Sequence, residues 1–229
     1  MYYEPGKIPH GLPFDPFKSC VVPRPIGWIS TTSGDGVDNL APFSQFQNVS
    51  YDPPMVMFSA NQTPYGLRKD TVVNVERTGQ FVWNMATYAL RNAVNLSSQA
   101  VLPEVDEFMH AGLGKLPSRH VRPPRVAESP VHFECVYMQT VRLPGNGKLG
   151  TVDVVFGRVV AVHIADDALT AEGRIDILKL RPLARMGYHD YTSVENVFAM
   201  SPPGGATRLA GLEGSPEKMT AALAALDDK

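Results

Sequence analysis

The sequence predicts a mainly β protein, a closed or nearly closed antiparallel barrel decorated by helices. Three observations predict it. The 20 prolines and 19 glycines fall between short β-branched runs, the punctuation of many strands and turns. Two runs, VHFECVYMQTVRL (131–143) and GTVDVVFGRVVAVHIA (150–165), read as long strands. Helical stretches occur, but they do not recur between strands as parallel crossovers would require. Of 229 residues, 44% are hydrophobic and 19% charged, enough apolar mass for a real core.

PIGWIST (25–31) reads as the first strand and SGDGVDN as the turn after it. FSQFQNVS and MVMFSA are strands on either side of the turn YDPP. DTVVNVERTG has helical apolar spacing, with Asp70 as N-cap and Gly79 as stop. QFVWNMA returns to strand. TYALRNAVNLSSQ is a helix capped by Thr87, and EVDEFMHAGL is a short helix. After the two long strands, AMSPPGGATRLAGLEGS reads as a linker to a tail helix at 216–226, with Ser215 as N-cap and Pro216 in the first turn.

Several function classes are disfavoured. A formal net charge of -2 implies no broad attraction to nucleic acid or anionic membrane. No long apolar run marks a membrane span, and MYYEPGKIPHGLPFDP lacks a signal pattern, so a cytoplasmic location is expected. Cys20 and Cys135 read as free, buried thiols. GNGKLG (145–150) matches the dinucleotide fingerprint only in its glycines. It leads into a strand, TVDVVFGRVVAVHI, not into the helix whose N-terminus would meet a pyrophosphate, so a hairpin loop is expected. His10, His110, His120, His132, His163 and His189 show no metal spacing, and no serine elbow or triad spacing stands out. Chemistry carried by a bound cofactor is the simpler enzymatic hypothesis.

Two stretches point to a ligand. NLAPFSQFQNVSYDPPMVMFS (39–59) interleaves strand formers with polar residues and prolines instead of alternating cleanly. Pro42 has no N–H, so it interrupts pairing and leaves backbone groups for a ligand. In LRKDTVVNVERTG, Arg68 and Lys69 stand at a helix N-terminus, where cations are unfavourable. A phosphate there, met by Lys69, the Thr71 hydroxyl and backbone N–H groups, would give the arrangement a purpose.

RPIGWISTTSGDGVDNLAPFSQFQNVSYDPPMVMFS (24–59) and KDTVVNVERTGQFVWN (69–84) resemble the flavin reductase-like family, whose fold is an FMN-binding split β-barrel of Greek-key type. VDEFMHAGL, PPRVAESPVHFEC and GRIDILKLRPLARMGYHDY are similar to the subgroup of flavoredoxins and the reductase component of nitrilotriacetate monooxygenase. The resemblance spans about residues 10–200. It implies a split-barrel domain over 1–200, with 201–229 as linker and tail helix outside it.

The resemblance also implies a homodimer holding FMN, with FAD as an alternative, near the interface. Hydride would come from NADH or NADPH, and a partner monooxygenase would receive reduced flavin. By motif, Thr31, Thr32 and Ser33 would lie along the ribityl-phosphate side. Asn39, Leu40, Ala41, Pro42, Phe43 and Ser44 would follow the isoalloxazine edge, with Phe43 and Phe46 either packing the ring or filling the core. Lys69, Asp70 and Thr71 match the phosphate-side motif. Asn61 and Arg68 are weaker transfers, and Arg185 belongs to a terminal motif, Arg185 through Tyr191, that would close over the site. Hydride transfer to flavin needs ring alignment rather than a protein acid or base, so no catalytic residue is named. A flavoredoxin-like carrier or sensor, and a barrel that has lost flavin, remain the competing readings.

Overall fold

The computed structural model describes residues 1–200, of which Met1–Glu195 form one compact unit. The tail helix expected at 216–226 and the linker from 201 lie outside the described residues. In chain order the strands are β1 (Arg24–Pro25), β2 (Gly27–Thr32), β3 (Asp38–Phe43), β4 (Phe46–Tyr51), β5 (Pro54–Asn61), β6 (Gln80–Asn84), β7 (Lys115–Leu116), β8 (Arg125–Val126), β9 (Val131–Leu143), β10 (Val152–Ile164), β11 (Leu183–Arg185) and β12 (Tyr191–Ser193). The helices are α1 (Asp70–Thr78), α2 (Arg91–Leu96), α3 (Glu107–His110) and α4 (Ile177–Leu180).

Seven strands form one antiparallel sheet in the order β3-β2-β6-β9-β10-β5-β4. Its two edges, β3 and β4, are consecutive in sequence, with only Ser44 and Gln45 between them. A flat seven-stranded sheet would separate those edges by about 29 Å. Three Cα steps reach only about 11 Å. The sheet must therefore curl until its edges meet at that corner. Among the described residues no ladder joins β3 to β4, so the barrel is split along the seam. The fold is the split β-barrel that the resemblance implies, nearly closed rather than closed.

One core fills the curl. Ile29, Phe43, Phe58, Phe81, Cys135 and Val155 come from six different strands and meet Val72 and Val75 of α1. A second cluster sets Trp28 and Leu40 against Val94 of α2 and Phe108 of α3. β9 and β10 pair along their length, with register shifts at Phe156/Gly157 and Val159/Ala161. Such bulges bend a strand and increase its twist, which lets a long hairpin follow the barrel wall. The loop GNGKLG joins these two strands, as its glycines without a following helix predict.

Local chemistry explains two of the helix ends. Gly79 stops α1 at φ 74, the left-handed region where a Cβ is penalised, and its N–H bonds Val75 O. Asp106 caps α3 by accepting from Phe108 N at 2.9 Å. Two expected caps are corrected. Lys69, not Asp70, is the N-cap of α1, and it makes no side-chain capping bond. Asp70 is the first helical residue, where a carboxylate still favours the helix dipole. Thr87 has extended backbone and bridges Pro182, but its hydroxyl caps nothing, and a 3-10 turn at Tyr88–Leu90 precedes α2. Both cysteines are free, but Cys20 is exposed; only Cys135 is buried. Cys20 sits in the N-terminal arm, outside the barrel wall, so no core covers it.

Candidate functional site

β3 is an edge strand, and its free side builds the site. Leu40 N donates to Glu107 Oε2 at 3.1 Å, so Leu40 faces away from β2. Backbone groups alternate sides along an antiparallel ladder, so Pro42 faces the same way. Pro42 has no N–H and the Leu40 N–H is taken, so this edge presents carbonyl acceptors rather than donors. The expectation that Pro42 frees neighbouring groups is therefore narrowed to the carbonyl of Pro42 itself, because Leu40 is fully buried.

Asn39 anchors that edge. Its Oδ1 accepts from Thr71 Oγ1 at 2.9 Å and Thr31 Oγ1 at 3.2 Å, while its Nδ2 donates to Glu107 Oε1 at 2.9 Å. Asn74 Nδ2 donates to Thr31 Oγ1 at 3.1 Å. All five residues are buried. The network ties β2, β3, α1 and α3 together, and each buried polar group has a partner, which is the condition for such a network to be stable.

Above it lies a cleft of about 90 Å³. Ala41, Pro42 and Phe43 form one wall, Lys69, Asp70 and Thr71 the start of α1, and residues 97–101 with Glu107 the far side. Burial raises the Glu107 carboxyl above its ordinary value, against the hydrogen bonds from Asn39 and Leu40. Burial likewise raises Asp70, with the Lys69 ammonium opposing it. Among the described residues, Lys69 is the one cationic side chain lining the cleft. The Thr71 hydroxyl is committed to Asn39 and is 1% exposed, so it supports the cleft from below.

The remaining residues singled out in the sequence are placed elsewhere. Thr32 Oγ1 donates to Asp38 Oδ1 at 2.7 Å, and Ser33 Oγ accepts from Val37 N at 3.0 Å, both within the β2–β3 turn. Asn61 is exposed at the end of β5. Arg68 is held by Glu76 at 2.6 Å and Asp153 at 3.1 Å, which commits its guanidinium to ion pairs. Phe43 stands 4.9 Å from Phe58, and Phe46 stacks on Trp83 at 5.5 Å, so both belong to the core, although Phe43 also reaches the cleft. Ser44 and Arg185 line a second cavity, of about 390 Å³.

Sequence reasoning missed Glu107 and residues 97–101. Glu107 meets Asn39 across 68 positions, and nothing in EVDEFMHAGL marks it except its place beside the capping Asp106. Among the described residues, no group of three or more His, Cys, Asp or Glu is placed to hold a metal, and no helix is long and apolar enough to cross a membrane.

The cleft suits a flat heteroaromatic group with one polar edge. Its wall is apolar, its floor offers acceptors along β3, and Lys69 stands at one end. At about 90 Å³ it is far smaller than the ~300–1,000 Å³ of pockets that enclose a drug-sized ligand, so one chain covers only part of such a group.

Residues 19–191 match the family described as flavin reductase like domain. An uncharacterised protein of Halalkalibacterium halodurans is 37% identical over 183 residues, covering 80% of this chain and 87% of its own length. Nitrilotriacetate monooxygenase component B from Bacillus cereus superposes with a TM-score of 0.79 at 28% identity, covering 87% of this chain and 98% of that one. Flavoredoxin of Desulfovibrio vulgaris (Miyazaki F) shares the fold at 20% identity, with a TM-score of 0.67 over 80% of this chain and 93% of its own. With its split barrel and a family match across the barrel strands, the chain belongs to the flavin reductase-like family.

Proposed function

We propose that this protein binds FMN along β3 and acts as an NAD(P)H:flavin oxidoreductase that supplies reduced flavin to a partner monooxygenase. The carrying observation is the cleft itself: an apolar wall at Ala41, Pro42 and Phe43, an acceptor-bearing strand edge, and Lys69 at the start of α1. FMN, when bound, supplies the hydride-accepting ring, so the protein need only bind, orient and shield it.

Each residue then has a task. The carbonyl of Pro42 reads the ring's donor at its pyrimidine end. Ala41, Pro42 and Phe43 cover its apolar face. Lys69 pairs with the phosphate, and Asp70 and Thr71 hold that end of α1 in place. Thr31, Thr32, Ser33 and Asn39 fix the β2–β3 hairpin that carries the edge. Asn61 and Arg68 contribute at most through the loop between β5 and α1. The rest of the flavin lies against a second copy of the chain in a homodimer.

The test is an absorbance spectrum of the purified protein, followed by anaerobic titration with NADH and NADPH. Bound FMN that bleaches with either nucleotide is expected, and Lys69→Ala should weaken FMN about tenfold or more while leaving riboflavin affinity unchanged. Flavin reduced by a protein donor but by neither nucleotide would make the protein a carrier instead. Failure to take up any flavin would end both readings.

A further inference from the structure

The second cavity has a charge imbalance that the fold leaves uncompensated. It measures about 390 Å³ and is lined by Phe14, Lys18, Arg24, Arg185 and Tyr188, with Asp15 as its one carboxylate among the described residues. Arg24 and Arg185 are direct partners in the β1–β11 ladder. Like charges directly opposite one another across a strand pair are destabilising. Neither guanidinium has a carboxylate partner among the described residues. Asp15 spends Oδ1 on Phe17 N at 2.9 Å.

The hydrogen bonds leave an unmet donor as well. Arg24 Nη1 donates to the carbonyls of Lys18, of Val21 at 3.1 Å and of Met186 at 2.9 Å, pinning the N-terminal arm to the terminal motif. Its Nε is buried and has no partner among the described residues. Burial, and then the facing Arg185, lower the Arg24 guanidinium from its ordinary value. Arg185 donates to the Tyr188 carbonyl and lies 4.5 Å over the Tyr191 ring, which fixes its direction. Tyr188 is held at φ 49, a costly conformation for a residue with a side chain, and meets Phe14 edge to face at 5.6 Å. Three cations against one carboxylate, beside an aromatic wall, describe a site that lacks an anion.

We infer that the Lys18–Arg24–Arg185 cavity binds the phosphoryl groups of a nucleotide. Guanidinium pairs match phosphate oxygens in both geometry and charge, and the Phe14–Tyr188 wall suits a planar base beside them. Its position fits a reactant of the flavin site. Phe43 lines the cleft on β3, and Ser44, the next residue, lines this cavity. The anion site stands on its own geometry; only the identity of its nucleotide rests on the flavin reductase reading. Two sources share this chemistry: the diphosphate of a nicotinamide dinucleotide, which leaves the flavin phosphate on Lys69, and the phosphate of the flavin, which would replace the Lys69 assignment.

Calorimetric titration of the full chain with ADP and with inorganic pyrophosphate tests the inference without needing turnover or reduction of flavin. Both should bind in a salt-sensitive manner, and adenosine should not. Arg185→Gln and the exposed Lys18→Gln should each weaken ADP about tenfold or more, and Arg185→Lys should restore part of the loss. Melting curves separate loss of binding from loss of fold, and Lys18→Gln keeps the test open if Arg185→Gln does not fold. Competition by NADH or NADPH but not FMN assigns the dinucleotide; competition by FMN but not riboflavin assigns the flavin phosphate. Either supports the site. No ADP binding by wild type, or unchanged affinity in folded Lys18→Gln and Arg185→Gln, would overturn it, whatever the flavin titration shows.

Discussion

His132 shows how one side chain sets a pH response. It is 4% exposed, and its Nε2 lies 2.8 Å from the Val126 carbonyl. A carbonyl only accepts, so Nε2 carries the proton and Nδ1 is left as a bare, buried acceptor without a partner among the described residues. Protonating Nδ1 would bury an unpaired charge, and burial accordingly lowers this imidazole to about 4. Beside it, burial works to raise Glu134, but N–H groups of Arg119 and His120 at 2.7 and 2.6 Å and the His163 ring at 2.5 Å hold it below its ordinary value. Both groups are depressed on folding, so the unfolded chain binds more protons in acid. Their stabilisation is complete above about pH 6.5, the unfolded His value, and is lost as pH falls through the folded values. Urea midpoints measured from pH 7 to 4 should fall, and His132→Gln should flatten the upper part of that decline; an unchanged slope would remove His132 as a cause. The sequence shows a histidine in a strand, but the Val126 carbonyl that fixes its tautomer is supplied by the neighbouring segment.

At the scale of elements, the β9–β10 hairpin was the most legible part of the chain, because thirteen-residue β-branched runs flank a glycine loop. Its curvature was not. Gly157 sits at a bulge, and a Cβ there would stand 2.3 Å from the Phe81 ring, which is fully buried. The glycine leaves room for an aromatic ring from β6 at the centre of the barrel. Gly157→Ala should therefore destabilise the fold by about 1–3 kcal/mol through overpacking, read as a lower urea midpoint with an unchanged slope. A wild-type midpoint would mean that the ring moves aside freely. Helix α1 was legible through its Val72–Val75 face and its Gly79 stop. Its cap slipped by one residue, because Asp70 is as good in a first turn as at a cap.

For the whole molecule, the sheet is closed by chain connectivity at Ser44–Gln45 and left open along the seam. The cleft on that open edge, at about 90 Å³, would cover only part of the proposed flavin. The proposed homodimer would complete it. Outward-facing Val160, Val162 and Ile164 of β10, exposed by 36, 53 and 41%, form an apolar row on one face that a second copy could cover. Sedimentation equilibrium should give twice the chain mass, and Val162→Asp should shift the protein toward monomer with reduced FMN retention. A monomeric wild type that holds FMN fully would refute the arrangement.

The sequence by itself determined the strand-rich architecture and the hairpin in place of a dinucleotide loop, and it marked two stretches, 39–44 and 69–71, of which Asn39, Ala41 to Phe43 and Lys69 to Thr71 line the cleft. Those are local signals: β-branched runs, glycine and proline positions, and a charged helix start. Only the tertiary structure decided that Asn39 is held by Glu107, that Arg68 is spent on Glu76 and Asp153, and that Arg24 faces Arg185. Each of these pairings is made across the fold rather than along it, apart from the Arg68–Glu76 pair. Charge compensation depends on which side chains the barrel brings within a few ångströms, and periodicity carries no record of that.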